Sequence, residues 1–152
     1  MISPWLHLVY LSGPIGSTNG AGHTWRDSAR DALKKEYGIA TFSPAHAYHM
    51  GDSKGREDRA SWHALLVNRE AIIQADAMLC FLPKDKVSLG SCREIEIARS
   101  HGRPVVVVFE ADHRPHFAVD LEIVNSFPAA FDVIAKWMQM PQFEVLDQYT
   151  RS

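Results

Sequence analysis

Apolar runs bounded by turn residues recur along the chain at Leu6 to Leu11, Ile39 to Phe42, Ala77 to Leu82 and Val105 to Phe109, with a weaker one at Leu121 to Val124. Nearly every position in them is apolar. That pattern predicts strands buried on both faces, as in a parallel sheet covered by helices above and below, because a half-exposed strand would alternate polar and apolar positions. Between the runs, apolar residues recur at three-to-four spacing. They predict helices over Trp25 to Tyr37, closed by Gly38, over Ser61 to Ala75, and over Cys92 to Ser100, closed before Gly102. A last helix is expected at Pro128 to Met138, with proline in the first turn, where the missing N–H is least felt. Strand and helix alternate, so the chain reads as βαβ units within one α/β domain over residues 1–152. The stretch from Pro44 to Arg59 mixes histidines, glycines and charges and is long for a connection, as a lid or substrate loop would be.

An open parallel sheet takes ligands beyond the carboxyl ends of its strands, where helix N-termini offer free N–H groups and positive dipole ends. Two such places stand out. After the first run comes Tyr10-Leu11-Ser12-Gly13-Pro14-Ile15-Gly16, followed by Ser17, Asn19, Gly20 and Gly22. Neither a Walker lysine nor the GxGxxG spacing is present, so this reads either as a plain glycine-rich turn or as a loop that lets the backbone approach a ligand. After the third run, Ser88-Leu89-Gly90-Ser91-Cys92-Arg93-Glu94-Ile95-Glu96 predicts a tight turn opening a helix, with Glu94 in its first turn. There the helix dipole favours the ionised carboxylate, and the position suits either capping or catalysis. Glu96 points to another side of the helix, so the two carboxylates need not act as a pair.

Composition narrows the partners. A formal charge of -2 gives no broad basic field for nucleic-acid polymer or anionic membrane, which favours a small-molecule ligand. The two cysteines, Cys80 and Cys92, have no CxxC spacing and read as free thiols. The segment Met1 to Pro14 has no basic leader and too short an apolar run to span a bilayer, so a cytoplasmic protein is expected. His46, His49, His63, His113 and His116 match no zinc spacing, so neither a metal nor a cofactor is expected. Asp76 is expected to support a strand end. Trp62 and Trp137 are expected to pack helices.

The motif from Tyr10 to Ile15, Trp25 and Arg26, Ala75-Asp76-Ala77, the spacing Gly90-x-x-x-Glu94-Ile95-x-x-Ala98, and Gly102-x-Pro104-Val105 together resemble the nucleoside 2-deoxyribosyltransferase superfamily over most of residues 8–109. The resemblance implies a flavodoxin-like, Rossmann-like three-layer sandwich with a five-stranded, mainly parallel sheet. It also implies that Glu94 attacks the anomeric carbon, with Tyr10 positioning the nucleophile or the sugar. A carboxylate suits a transition state that is cationic at the sugar, and its ester splits the displacement into two steps.

Where family members acting on free nucleosides carry an aspartate near the 5′-hydroxyl, this chain has Ser88, as the nucleoside monophosphate hydrolases do. A hydroxyl there either caps the helix or donates to a phosphate. Further substrate contacts are expected from Ser12, Gly13, Pro14 and Ile15, from Gly90 and Ser91, and from Arg114 and His116.

The family's aspartate that assists the leaving base falls on Asn68, whose amide hydrogen-bonds but gives no carboxylic proton. Protonation then falls to water, or to Asp52, Asp58 or a histidine of the long loop. Hydrolysis of a nucleoside 5′-monophosphate, base exchange, and a nucleotide-sensing module without turnover are the readings this sequence leaves. A homodimer or higher homo-oligomer is implied by the resemblance.

Overall fold

The computed structural model describes residues 7–14, 21–44, 57–84, 89–110 and 121–139. In chain order they form β1 (Leu8–Ser12), α1 (Ala21–Tyr37), β2 (Ala40–Phe42), α2 (Glu57–Gln74), β3 (Ala77–Leu82), α3 (Leu89–Ser100), β4 (Val105–Phe109), β5 (Glu122–Val124) and α4 (Phe127–Met138). The strands make one five-stranded sheet in the order β2-β1-β3-β4-β5, every pairing parallel. This is the doubly wound flavodoxin-like order. Its switch point lies between β1 and β3, where the chain changes direction across the sheet and opens a crevice at the strands' carboxyl ends.

Strand periodicity sorts the core into two layers. Val9 and Leu11 of β1, Ala77 and Leu79 of β3, and Val106 and Val108 of β4 face one way, against Trp25, Ala29 and Leu33 of α1 and Ala130, Phe131 and Ile134 of α4. Tyr10, Met78, Cys80, Leu82, Val105 and Val107 face the other way, against Ile72 of α2 and Ile95 and Ala98 of α3. The three-layer α/β expectation is met. Trp137 is partly buried against the first layer, and the side chain of Trp62 lies outside the described residues.

The helices differ from expectation mainly at their starts. α1 begins at Ala21, α2 at Glu57 and α3 at Leu89, each ahead of the first residue whose spacing signals a helix. First turns carry little apolar periodicity, and Gly90 reads as a breaker. It is tolerated because the first N–H groups of a helix have no intrahelical partner to lose. The Gly90 turn is therefore helical, and the long connection is shortened from its far end. Helix ends are where glycine predicts them: Gly38 and Gly102 adopt φ of 66° and 70°, and the Gly38 N–H returns to the Lys34 carbonyl. At the start of α4, Ser126 accepts from the Ala129 N–H at 3.3 Å, with proline in the first turn.

Candidate active site

The site grows from the carboxyl end of β1. Tyr10 and Ser12, two residues apart, point to the same face of the sheet, toward α2 and α3, and both are fully buried. The Tyr10 ring stacks on Phe42 of β2, with centroids 5.6 Å apart. Glu94 comes down from the second turn of α3 to meet them. The Tyr10 hydroxyl donates to Glu94 Oε2, and the Ser12 hydroxyl donates to Oε1 at 2.9 Å. Each carboxylate oxygen thus has its own donor, which fixes the plane of the group.

Burial pushes the Glu94 carboxyl above the usual carboxylate range, against the two hydroxyl donors and the guanidinium groups of Arg26 and Arg93, which favour the charge. This corrects the expectation that the helix dipole sets the charge state. Because α3 starts at Leu89, Glu94 lies past the first turn, where the dipole has largely faded, and desolvation dominates. Beside Ser12, the Cys80 thiol is pushed up to about 12, first by burial, which makes it an unreactive thiol. Cys80 and Cys92 are both free.

Arg26 has a structural role that the sequence gives only as a motif position. It is 1% exposed, donates to the carbonyls of Gly13 at 2.7 Å and Pro14 at 3.1 Å, and lies 4.7 Å over the Trp25 ring. Gly13 is held between these groups. A Cβ there would sit 2.6 Å from the Trp25 ring and 3.2 Å from the Phe81 carbonyl. Trp25 is itself stacked on Phe127, so it has little room to retreat. Gly13→Ala is therefore expected to destabilise the chain by about 1–3 kcal/mol, read as a lower denaturant midpoint with an unchanged slope.

Glu94 faces a cavity of about 290 Å³ between α2 and α3. From β1 it is lined by Gly13. From α2 come Leu65, Asn68, Arg69 and Ile72, and from α3 Gly90, Ser91, Arg93, Glu94 and Ile97. Asn68 and Ser91 are nearly fully buried, at 4% and 1% exposure. Of the residues expected at a site, the fold brings together Glu94, Tyr10, Ser12, Gly13, Asn68, Gly90 and Ser91, whereas Pro14 contributes its carbonyl to Arg26. Ile15, Ser88, Arg114, His116 and Asp52 lie outside the described residues, as do His46, His49, His113 and the side chain of Asp58. His63 is exposed. Asp76 accepts the Leu8 N–H at 2.7 Å at the opposite end of the sheet, supporting a strand as expected. Arg69, Arg93, Leu65, Ile72 and Ile97 went unread as site residues. Helical spacing could have found them, since both stripes run at i, i+3, i+4 and i+7 on their helices.

Among the described residues, no helix is long and apolar enough to cross a membrane. Neither protein-family models nor curated proteins match the sequence. Solved structures do. The chain is similar to the 2-deoxyribosyltransferase of the psychrotolerant bacterium Bacillus psychrosaccharolyticus, at 14% identity over 82% of this chain and 90% of that one, with a TM-score of 0.66. It is similar to a 2-deoxyribosyltransferase from Leishmania mexicana, at 15% identity, 86% and 97% coverage and a TM-score of 0.64. A conserved protein from Enterococcus faecalis V583 matches at 16% identity, 87% and 99% coverage and a TM-score of 0.72. Likeness at these identities speaks for architecture, and the architecture of this chain is that of the 2-deoxyribosyltransferases.

Proposed function

We propose that this protein is an enzyme that cleaves the N-glycosidic bond of a nucleoside 5′-monophosphate through a covalent ester on Glu94. The observation that carries the reading is the Glu94 carboxylate, held on both oxygens by Tyr10 and Ser12 and facing a cavity. One carboxylate oxygen attacks the anomeric carbon. The bond from that carbon to the base nitrogen breaks, its electron pair leaves with the base, and the base takes a proton. Water then attacks the same carbon, the ester oxygen departs as the Glu94 carboxylate, and sugar phosphate is released. Tyr10 and Ser12 orient the carboxylate. Asn68 lines the cavity, and as an amide it leaves base protonation to water or to a loop acid such as Asp52 or Asp58. Ser88, Ser91 and Gly90, with Arg114 and His116, are the proposed phosphate contacts, and Gly13 to Ile15 the proposed sugar loop.

Base exchange is the second reading, favoured by a cavity that could admit an acceptor base in place of water and by the names of two structural neighbours. A sensing module without turnover is the third, resting on Asn68. We also infer a homo-oligomer, supported by Leu65, Leu66 and Val67, which stand 36%, 47% and 37% exposed on α2 beside the cavity. Incubation with a panel of ribo- and deoxyribonucleoside monophosphates, followed by mass spectrometry, separates the readings. Free base and sugar phosphate are expected. A new nucleoside formed only on adding an acceptor base would replace hydrolysis by transfer. A nucleotide bound tightly yet recovered intact would remove the enzymatic reading.

A further inference from the structure

The two helices that wall the cavity carry the same arrangement. On α2 the nearly buried Asn68 is followed by the exposed Arg69, and on α3 the exposed Arg93 precedes Glu94. All four line the cavity. Adjacent helical positions diverge by about 100°, so when the polar residue of each pair turns inward, its arginine is left at the rim. The rim therefore bears two guanidinium groups on facing helices, above a single carboxylate.

Among the described residues, neighbouring acids form no salt bridge with them. Glu70 accepts from Gln74 at 3.0 Å, and Glu96 lies 3.7 Å from Arg99, each within its own helix. Glu94 takes its hydrogen bonds from Tyr10 and Ser12, and Arg93 favours its charge without a salt bridge to it among the described residues. Among the described residues, neither Arg69 nor Arg93 makes a hydrogen bond or salt bridge. In a chain of net charge -2, two cations lining one cavity, neither in a salt bridge among the described residues, form a local exception that attracts an entering anion.

We propose that Arg69 and Arg93 add an anion clamp to the phosphate contacts named above, gripping the terminal oxygens of a sugar phosphate from the cavity's rim and selecting nucleotides over nucleosides. The assignment rests on the glycosidic reading above and adds to it the residues that set substrate class. Planar guanidinium forks suit a phosphate, which offers several terminal oxygens to two donors at once. With the reacting carboxylate deeper and the clamp at the rim, the substrate enters sugar first. The phosphate stays nearest solvent, where its desolvation is least unfavourable.

The test is calorimetric binding to the Glu94→Gln chain, which holds substrate intact, using deoxynucleoside 5′-monophosphates, the matching nucleosides and inorganic phosphate. Monophosphates are expected to bind about tenfold to a hundredfold more tightly than nucleosides, a preference that shrinks as salt is added. Adding Arg69→Gln and Arg93→Gln is expected to remove most of the preference, by weakening monophosphate binding far more than nucleoside binding. Both side chains are exposed, and Lys replacements, which keep charge without the fork, are expected to retain part of it. Preference for inorganic phosphate over every nucleotide would overturn the assignment, as would an equal preference in the double variant or none in the parent. Base release by the wild-type chain is followed separately. Release with an unchanged preference in the double variant sinks the clamp alone, while an arginine-dependent preference without release sinks the cleavage reading alone.

Discussion

Replacing Glu94 by glutamine is expected to slow base release by roughly ten-thousand-fold or more and at the same time to stabilise the fold at neutral pH. The activity loss follows from the chemistry, because an amide oxygen is a poor nucleophile and cannot depart as a carboxylate when the ester is hydrolysed. The stability gain follows from the direction of the Glu94 shift. Burial raises its folded-state pKa above the unfolded one, so the stability tied to the neutral form is fully present below the ordinary carboxylate range. It is lost as pH rises through the folded pKa. Above that point the native state holds an ionised carboxylate against its surroundings, and glutamine removes this burden while still able to pair with Tyr10 and Ser12. Thermal unfolding of the two chains should coincide in acid and separate toward neutrality, with glutamine the more stable. The same shift predicts that wild-type kcat/KM rises with pH along a limb above the usual carboxylate range, since the charged form attacks. A glutamine chain that keeps its rate would contradict the catalytic half, and one that melts lower at neutral pH the stability half.

The strands were legible because burial on both faces leaves an unbroken apolar signature. Val105 to Phe109 and Ala77 to Leu82 could be bounded to the residue. The helix starts were not, because a first turn needs neither an apolar stripe nor a strong helix former, as Gly90 illustrates. Glu94 and Tyr10 became a pair through family resemblance, since they lie 84 positions apart and no local spacing connects them. Ser12 was expected as a substrate contact, and its hydroxyl donates to Glu94, a partner that the glycine-rich turn did not suggest. Arg26 was the hardest to read. A charged residue next to Trp25 looks like the polar margin of an amphipathic helix, and only the return of the loop at Gly13 and Pro14 over that margin buries it. Ser91 lines the cavity at a position that the turn before α3 had marked, whereas Arg69 and Arg93, which line it too, carry no motif.

Arg26→Met is expected to destabilise the chain by about 3 kcal/mol and to move the acid limb of the pH–rate profile upward. Two effects oppose each other here. Burial lowers the Arg26 pKa, so sequestering the guanidinium is itself unfavourable, and methionine, which packs well against Trp25, relieves that. The Gly13 and Pro14 carbonyls lose their donor, however, and the loop leading from β1 loses its anchor where Gly13 borders the cavity. The carbonyl loss prevails, because the bond to the Gly13 carbonyl is buried and a buried acceptor left without a donor loses its full solvation. Removing the positive charge also removes an influence that favours the Glu94 carboxylate, leaving desolvation less opposed and raising its pKa further. Arg26→Lys separates the two roles: the charge remains, so the pH limb should stay near wild type, while a single ammonium cannot span both carbonyls and stability is only partly restored. If methionine leaves the pH limb where it was, Arg26 anchors the loop and nothing more; if stability is also unchanged, the two carbonyls have found other donors.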